Sequence, residues 1–225
     1  MDPKDLAGHA ALDYIKDGMI VGLGSGSTAK LFIDALGAAL KEGRLKNITG
    51  IPTSVKSEQQ ARELGIPLTT FAQTPTVDVV IDGADEVDPH LNLIKGLGGA
   101  LLREKLVAQN ARRMIVVADT TKRVQVLGTH CPLPVEVCKF SHEASERFLR
   151  GLGCVPTLRR LAGGEPFVTD NGNFTYDCKF TKIDDPKGLE EKLAHRAGIV
   201  ETGLFLGIAD VALLAGTDSV ETLKK

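Results

Sequence analysis

Cysteine is scarce in this chain. The residues at 131, 138, 154 and 178 include no C-x-x-C pair and no second pair at ligand spacing, which excludes a zinc ribbon or a dithiol redox motif. A chain of 225 residues needs no disulfide staples, so free, buried thiols are expected. No run of about 18 apolar residues is present to span a membrane. The start, Met1-Asp2-Pro3-Lys4-Asp5, lacks the basic and apolar segments of a secretory leader. A cytoplasmic location without a membrane partner is the expectation. Charge of one sign is not in excess: 27 basic residues face 29 acidic ones, for a net charge of −2, so no overall field draws the chain to nucleic acid. The pairs Arg112-Arg113 and Arg159-Arg160 have no interleaved aromatic residues for base stacking and are read as surface positions. No histidine stands near a nucleophile elbow, and none receives a catalytic role.

What is present is ordinary for a globular protein, with 43% hydrophobic and 25% charged residues. Asp2 and Pro3 open a first helix whose apolar residues recur at helical period through Ile15, with Gly18 ending it. Strand Met19–Leu23, a glycine loop and a helix to about Leu40 follow. Next come strand Ile48–Ile51, helix Val55–Leu64, strands near Ile66–Thr69 and Val77–Ile81, helix Ala100–Ala111 and strand Met114–Ala118. Apolar strands alternating with helices predict an α/β fold: an open, mostly parallel sheet with helices on both faces. After residue 130 the order becomes β-α-β-β-α-β: strand Val135–Cys138, helix His142–Arg150, strands near Val155–Arg159, Phe167–Thr169 and Phe174–Cys178, helix Pro186–Ala194 and strand Ile199–Glu201. This is the order of a ferredoxin-like α+β unit. The expected organisation is one α/β domain, residues 1–130 and 204–225, interrupted by a smaller α+β domain over 131–203. Val211–Leu214 would rejoin the first sheet.

In such a sheet ligands bind beyond the carboxyl ends of the strands, and the turns there are chemically loaded. Gly24-Ser25-Gly26-Ser27-Thr28 offers amides, hydroxyls and a helix N-terminus to an anion, or is simply a tight turn with a helix cap. As a dinucleotide fingerprint it fails, because Pro52-Thr53-Ser54 stands where an acidic residue should follow the next strand. No Gly-Lys-Ser/Thr closes a Walker loop either. Asp82-Gly-Ala-Asp85-Glu86-Val-Asp88 crowds carboxylates whose mutual repulsion raises pKa values, although a solvated acidic loop or a hard-metal site fits the same segment. Lys95 precedes Gly96-Leu97-Gly98-Gly99 and could stabilise an oxyanion, neutralise a substrate charge or form a Schiff base. Arg103, Glu104 and Lys105 are either an exposed helix face or carry a buried base, and Lys122 ends a further polar turn, Asp119-Thr-Thr-Lys122.

Five motifs in order, Gly22-Leu-Gly-Ser-Gly-Ser-Thr-Ala29, Asp82-Gly-Ala-Asp-Glu86, Leu93 through Lys105, Val117-Ala-Asp-Thr-Thr-Lys122 and Pro132-Leu-Pro-Val-Glu136, resemble the A-type ribose-5-phosphate isomerases, as does Glu201-Thr-Gly-Leu-Phe205. The resemblance implies a metal-independent, cofactor-free interconversion of ribose 5-phosphate and ribulose 5-phosphate through an enediolate, in the non-oxidative pentose phosphate pathway. It implies Glu104 as the general base, Asp82 as the acid/base of ring opening, and Asp85 with Lys95 as the pair that orients the sugar and stabilises the oxyanion. It further implies Ser25, Gly26, Ser27 and Thr28 as the substrate loop, Lys4 and Lys122 as phosphate-side lysines, and a homodimer or homotetramer. The family often has Thr where Ser25 stands, an exchange that keeps the hydroxyl. Sugar-phosphate-sensing domains of transcription regulators share the fold and are the alternative, but only one helix, with no helix-turn-helix, precedes Gly22.

Overall fold

The computed structural model describes residues 2–225. Asp2 caps α1 (Pro3–Ala10) by accepting the Lys4 amide at 2.9 Å. The chain then tightens into a 3-10 turn, Ala11–Tyr14, instead of remaining α-helical to Ile15; such a turn gives the last carbonyls partners as the helix ends. There follow β1 (Ile20–Leu23), α2 (Ser27–Lys41), β2 (Thr49–Pro52), α3 (Val55–Glu63) and β3 (Val79–Gly83), then the short strands β4 (Glu86–Val87) and β5 (Leu93–Ile94), α4 (Leu101–Gln109) and β6 (Met114–Asp119). Next are β7 (Leu133–Val137), α5 (His142–Gly151), β8 (Val155–Leu158), β9 (Phe174–Lys179), α6 (Pro186–Ala194) and β10 (Ile199–Thr202). The chain ends with β11 (Leu204–Phe205), β12 (Val211–Ala215) and β13 (Val220–Lys224).

The main sheet has the order β13-β12-β6-β3-β1-β2 and is parallel except for β13, an antiparallel edge that the sequence reading did not foresee. β12 does rejoin it, beside β6. Side chains alternate between the faces. Val21, Leu23, Val79, Ile81, Ile115 and Val117 pack with Phe32, Ile33 and Leu36 of α2, whereas Val80, Met114 and Val116 pack with Val107 and Ala108 of α4. Asp82, two residues beyond Val80, therefore falls on the α4 side. β1 has β2 on one flank and β3 on the other, so the chain reverses its direction of winding between β1 and β3. A crevice opens beyond the carboxyl ends of strands at such a point.

A second sheet, β10-β7-β9-β8, is antiparallel throughout; in chain order this is 4-1-3-2, the ferredoxin-like arrangement. It has its own core around Leu133, Val135, Leu149, Tyr176 and Leu193. Two expected strands are not formed. Residues 66–69 make only a bridge from Leu68 to Gly50, in a stretch where Pro67 offers no amide to a ladder. Residues 167–169 are drawn out of β-pairing by tertiary contacts: the Thr169 hydroxyl donates to Glu136 Oε1 at 2.9 Å, and the Phe167 ring covers Gly99. The three short strands β11-β5-β4 form a small third sheet that carries Glu86 and leads directly into Lys95.

Candidate active site

Lys95 is the centre of the crevice. Its side chain is 2% exposed, and its ammonium donates to Gly83 O at 2.6 Å and Glu104 Oε1 at 3.1 Å while lying 3.0 Å from Asp82 Oδ2. Two of its three donors are thus committed to hydrogen bonds, and Asp82 Oδ2, close enough for an ion pair, has no hydrogen-bond partner among the described residues. Glu104 comes from the buried stripe of α4 that also contains Leu101, Val107 and Ala108, at helical spacing. The reading of residues 103–105 as an exposed face therefore fails for Glu104 and Lys105, at 4% and 3% exposure. Glu104 Oε2 is buried and makes no hydrogen bond among the described residues, which leaves one carboxyl oxygen available to a ligand.

Two carboxyl groups share one ammonium here. Burial opposes the charge on Lys95, but Asp82 and Glu104 outweigh it and hold its pKa above the ordinary lysine value. An ammonium held so firmly is a poor Schiff-base nucleophile. Glu104 absorbs the imbalance: burial, opposed by Lys95 and reinforced by Asp82, leaves its carboxyl pushed up to about 8. As the raised folded-state value favours the neutral form, the associated stability is complete below the unfolded value and lost as pH rises through about 8.

The crowded acids divide into separate duties. Asp82, fully buried, accepts the amides of Ser25 and Gly83 on Oδ1 at 2.9 and 2.7 Å, tying the glycine loop to β3. The loop passes so close that a Cβ on Gly24 would overlap Ile81 O and Asp82. Asp85 accepts the Leu97 amide at 3.0 Å. Glu86, fully buried, accepts the amides of Gly128, His130 and Cys131, and Asp88 those of His90 and Asn92; these two acids hold loops together.

The remaining residues singled out in the sequence converge on the same crevice. Lys4, Ser25, Gly26, Ser27, Thr28, Asp85, Lys95, Glu104 and Lys122 line one cleft, and Asp82 lies beneath it against Lys95. Lys4 Nζ donates to the Ser27 hydroxyl at 3.2 Å. The first amides of α2 have no partner within the helix, so the α2 end of the cleft gathers the Lys4 ammonium, hydroxyls and a helix N-terminus, as an anion requires, and Lys122 also lines the cleft. Ser25 Oγ is turned to Thr53 and Ser54, at 2.8 and 2.7 Å, where it braces the loop from behind.

A family model described as ribose 5-phosphate isomerase A (phosphoriboisomerase A) matches residues 49–219. The chain belongs to this family. Its ribose-5-phosphate isomerase A relative from Roseiflexus castenholzii is 50% identical over 97% of this chain and 93% of that protein. Among solved ribose 5-phosphate isomerases, one in complex with phospho-erythronic acid superposes with a TM-score of 0.96 at 40% identity, covering 100% of this chain and 98% of that one. That of Methanocaldococcus jannaschii gives 0.94 at 39% identity, with 100% and 99% covered.

Around this isomerase-family cleft the structure adds residues that sequence reasoning passed over. Phe205 has the Lys95 ammonium 5.3 Å and the Lys105 ammonium 5.1 Å from its ring centroid, and Lys105 is bound to Glu201 at 2.6 Å. The Glu201-to-Phe205 segment of the family motif thus forms part of the wall behind Lys95. Arg159, read as a surface residue, is instead 13% exposed and paired with Asp177, its remaining donors meeting the Gly96 and Leu97 carbonyls, which offsets the cost of taking the guanidinium out of water. Arg160 does lie at the surface, donating to Gly164 O.

Proposed function

We propose that this chain interconverts ribose 5-phosphate and ribulose 5-phosphate by proton transfer through an enediolate. The observation that carries the proposal is the buried Asp82–Lys95–Glu104 cluster beside a cleft that also holds Lys4, Lys122 and the N-terminus of α2. The phosphate sits with Lys4, Lys122 and the Ser25–Thr28 segment. Binding energy from this non-reacting group fixes the sugar carbons near the cluster. The Glu104 carboxylate removes the proton from C2 of the open-chain aldose, and the aldehyde oxygen takes the charge. The Lys95 ammonium stabilises that oxygen in a site shielded from water. Glu104 then returns the proton to C1 while the oxygen at C1 gains a proton and that at C2 loses one. Asp85, at the cleft wall, and Asp82, acting from behind Lys95, serve the proton movements on oxygen and the opening of the ring. A related isomerase of known structure binds a phosphorylated sugar acid, whose planar two-oxygen carboxylate has the shape of an enediolate edge. A homodimer or homotetramer of this chain in the cytoplasm completes the proposal, with sedimentation velocity as the check on assembly.

The test is hydrogen exchange. Ribose 5-phosphate incubated with the protein in heavy water, without added metal or nucleotide, is expected to acquire deuterium at C2 and to yield the ketose. Tight binding with neither exchange nor ketose would leave a sugar-phosphate sensor and sink the isomerase reading.

A pH profile follows from the state of Glu104. The base works only when ionised, so kcat/KM is expected to climb to a plateau through about pH 8, whereas an ordinary glutamate, ionising near 4.5, would give a flat profile from pH 6 upward. The second ionisation of the substrate phosphate, near about 6, is low enough to be resolved from this limb. Rates measured from pH 5.5 to 9.5 in steps of about half a unit decide between the two profiles.

A further inference from the structure

The loop after Lys95 contains three glycines in four residues, Gly96-Leu97-Gly98-Gly99, and such a segment does not hold one conformation unaided. Gly96 and Gly99 both have positive φ, 101° and 87°. Two groups from the segment between β8 and β9 restrain it. Arg159, just after β8, spreads its guanidinium between two tasks. Nε and Nη2 donate to the Asp177 carboxylate on β9 at 2.9 and 2.5 Å, and Nη1 donates to Gly96 O and Leu97 O at 3.2 and 3.1 Å. Phe167 lies 5.7 Å below the guanidinium and fills the space that a side chain at position 99 would need. Leu97 is thereby gripped at both ends of its backbone: Asp85 takes its N–H and Arg159 its carbonyl.

We infer that Arg159 is a positioning residue for the isomerisation, holding the Gly96–Gly99 loop so that Lys95, Asp85 and the loop backbone meet the sugar in one fixed arrangement. Asp177 orients its fork. The inference rests on the isomerase reading above. Its geometry is specific to a planar guanidinium: a lysine ammonium cannot span the Asp177 carboxylate and two successive carbonyls at once. Arg159 touches neither the anion end of the cleft nor Glu104, so its loss should disturb the reacting end of the sugar and leave the grip on phosphate intact.

The experiment compares wild type with Arg159→Ala, Arg159→Lys and Asp177→Asn in ribose 5-phosphate turnover, inhibition by inorganic phosphate, and thermal unfolding. Both Arg159 variants are expected to lose about 10- to 100-fold in kcat, the scale of a catalytic group displaced by about an ångström, while the inhibition constant for phosphate stays unchanged. Low-millimolar methylguanidinium is expected to restore part of the activity of Arg159→Ala and none to Arg159→Lys, whose side chain fills the slot. A contribution to folding alone would lower the melting temperature, leave kcat of the folded enzyme at the wild-type level and give no rescue. That pattern, or kcat within about twofold of wild type in Arg159→Ala, overturns the inference. Should Arg159→Ala fail to fold, Asp177→Asn decides, because it keeps the guanidinium and loosens its aim: reduced kcat with unchanged phosphate inhibition supports the inference, and wild-type kcat overturns it. An inactive wild type would instead remove the isomerase reading itself.

Discussion

Glu104→Gln is expected to bind ribose 5-phosphate as the parent does and to lose nearly all turnover, a fall of about 10²–10⁴-fold in kcat. Glutamine keeps the shape of the side chain and a carbonyl oxygen for the Lys95 ammonium 3.1 Å away, so the cleft should not collapse. What disappears is a group able to take a proton from carbon. In energy the loss corresponds to about 3–5 kcal/mol of transition-state stabilisation. The same substitution carries a stability signature that separates base from scaffold. At neutral pH the parent Glu104 already holds its proton, so the neutral amide should cost little; above pH 8 the parent must bury a second carboxylate and the variant need not. The variant should therefore gain stability relative to the parent as pH rises through about 8, measured by urea unfolding at pH 6 and pH 9.5. Turnover near the parent rate would remove Glu104 as the base.

Much of this site is legible in the sequence because its parts lie where an α/β sheet must present them. Leu23 ends β1 and Asp82 stands in the last pleat of β3, both parallel strands buried on both faces, so Gly24–Thr28 and Asp82 come to one edge of the sheet by topology alone. Glu104 carried a signal too. A carboxylate in register with Leu101, Val107 and Ala108 lies on the inward stripe of its helix, and an inward charge needs a partner. The four acids from Asp82 to Asp88 were harder, since composition shows crowding but not partners. Only the backbone amides that come from the remote loop 128–131 reveal that Glu86 holds structure together. Arg159 was illegible for a similar reason. Nothing in its neighbourhood along the chain announces that Asp177 and the Gly96 and Leu97 carbonyls, from 18 to 63 residues away, will surround it. The strand expected over 167–169 failed on the same ground: Phe167 and Thr169 have sound β-propensity, but contacts from Gly99 and Glu136 override a preference that is weak and dependent on context. Edge strand β13 reads Val-Glu-Thr-Leu-Lys, mostly exposed, and gives no continuous apolar run to mark it.

Lys95→Met should strike both chemistry and fold. The variant keeps an unbranched side chain in a slot only 2% exposed and removes the charge that two carboxyl groups share. With Glu104 protonated in the resting site, Asp82 is the carboxylate left without its cation, and breaking a buried pair in this way is expected to cost about 3 kcal/mol, at the lower end for such losses. Turnover should fall by about 10²–10³-fold, the scale of removing one preorganised donor to a developing oxyanion, with KM changed far less because the contact strengthens as charge reaches the oxygen. The pH profile gives an independent reading. Lys95 pulls the Glu104 carboxyl downward, so without it the acidic limb of the residual activity should move above about 8. A merely structural lysine would lower stability without moving that limb in the fraction that remains folded. A rise confined to KM, with kcat and the limb unchanged, would place Lys95 among the groups that hold the substrate and take the oxyanion away from it.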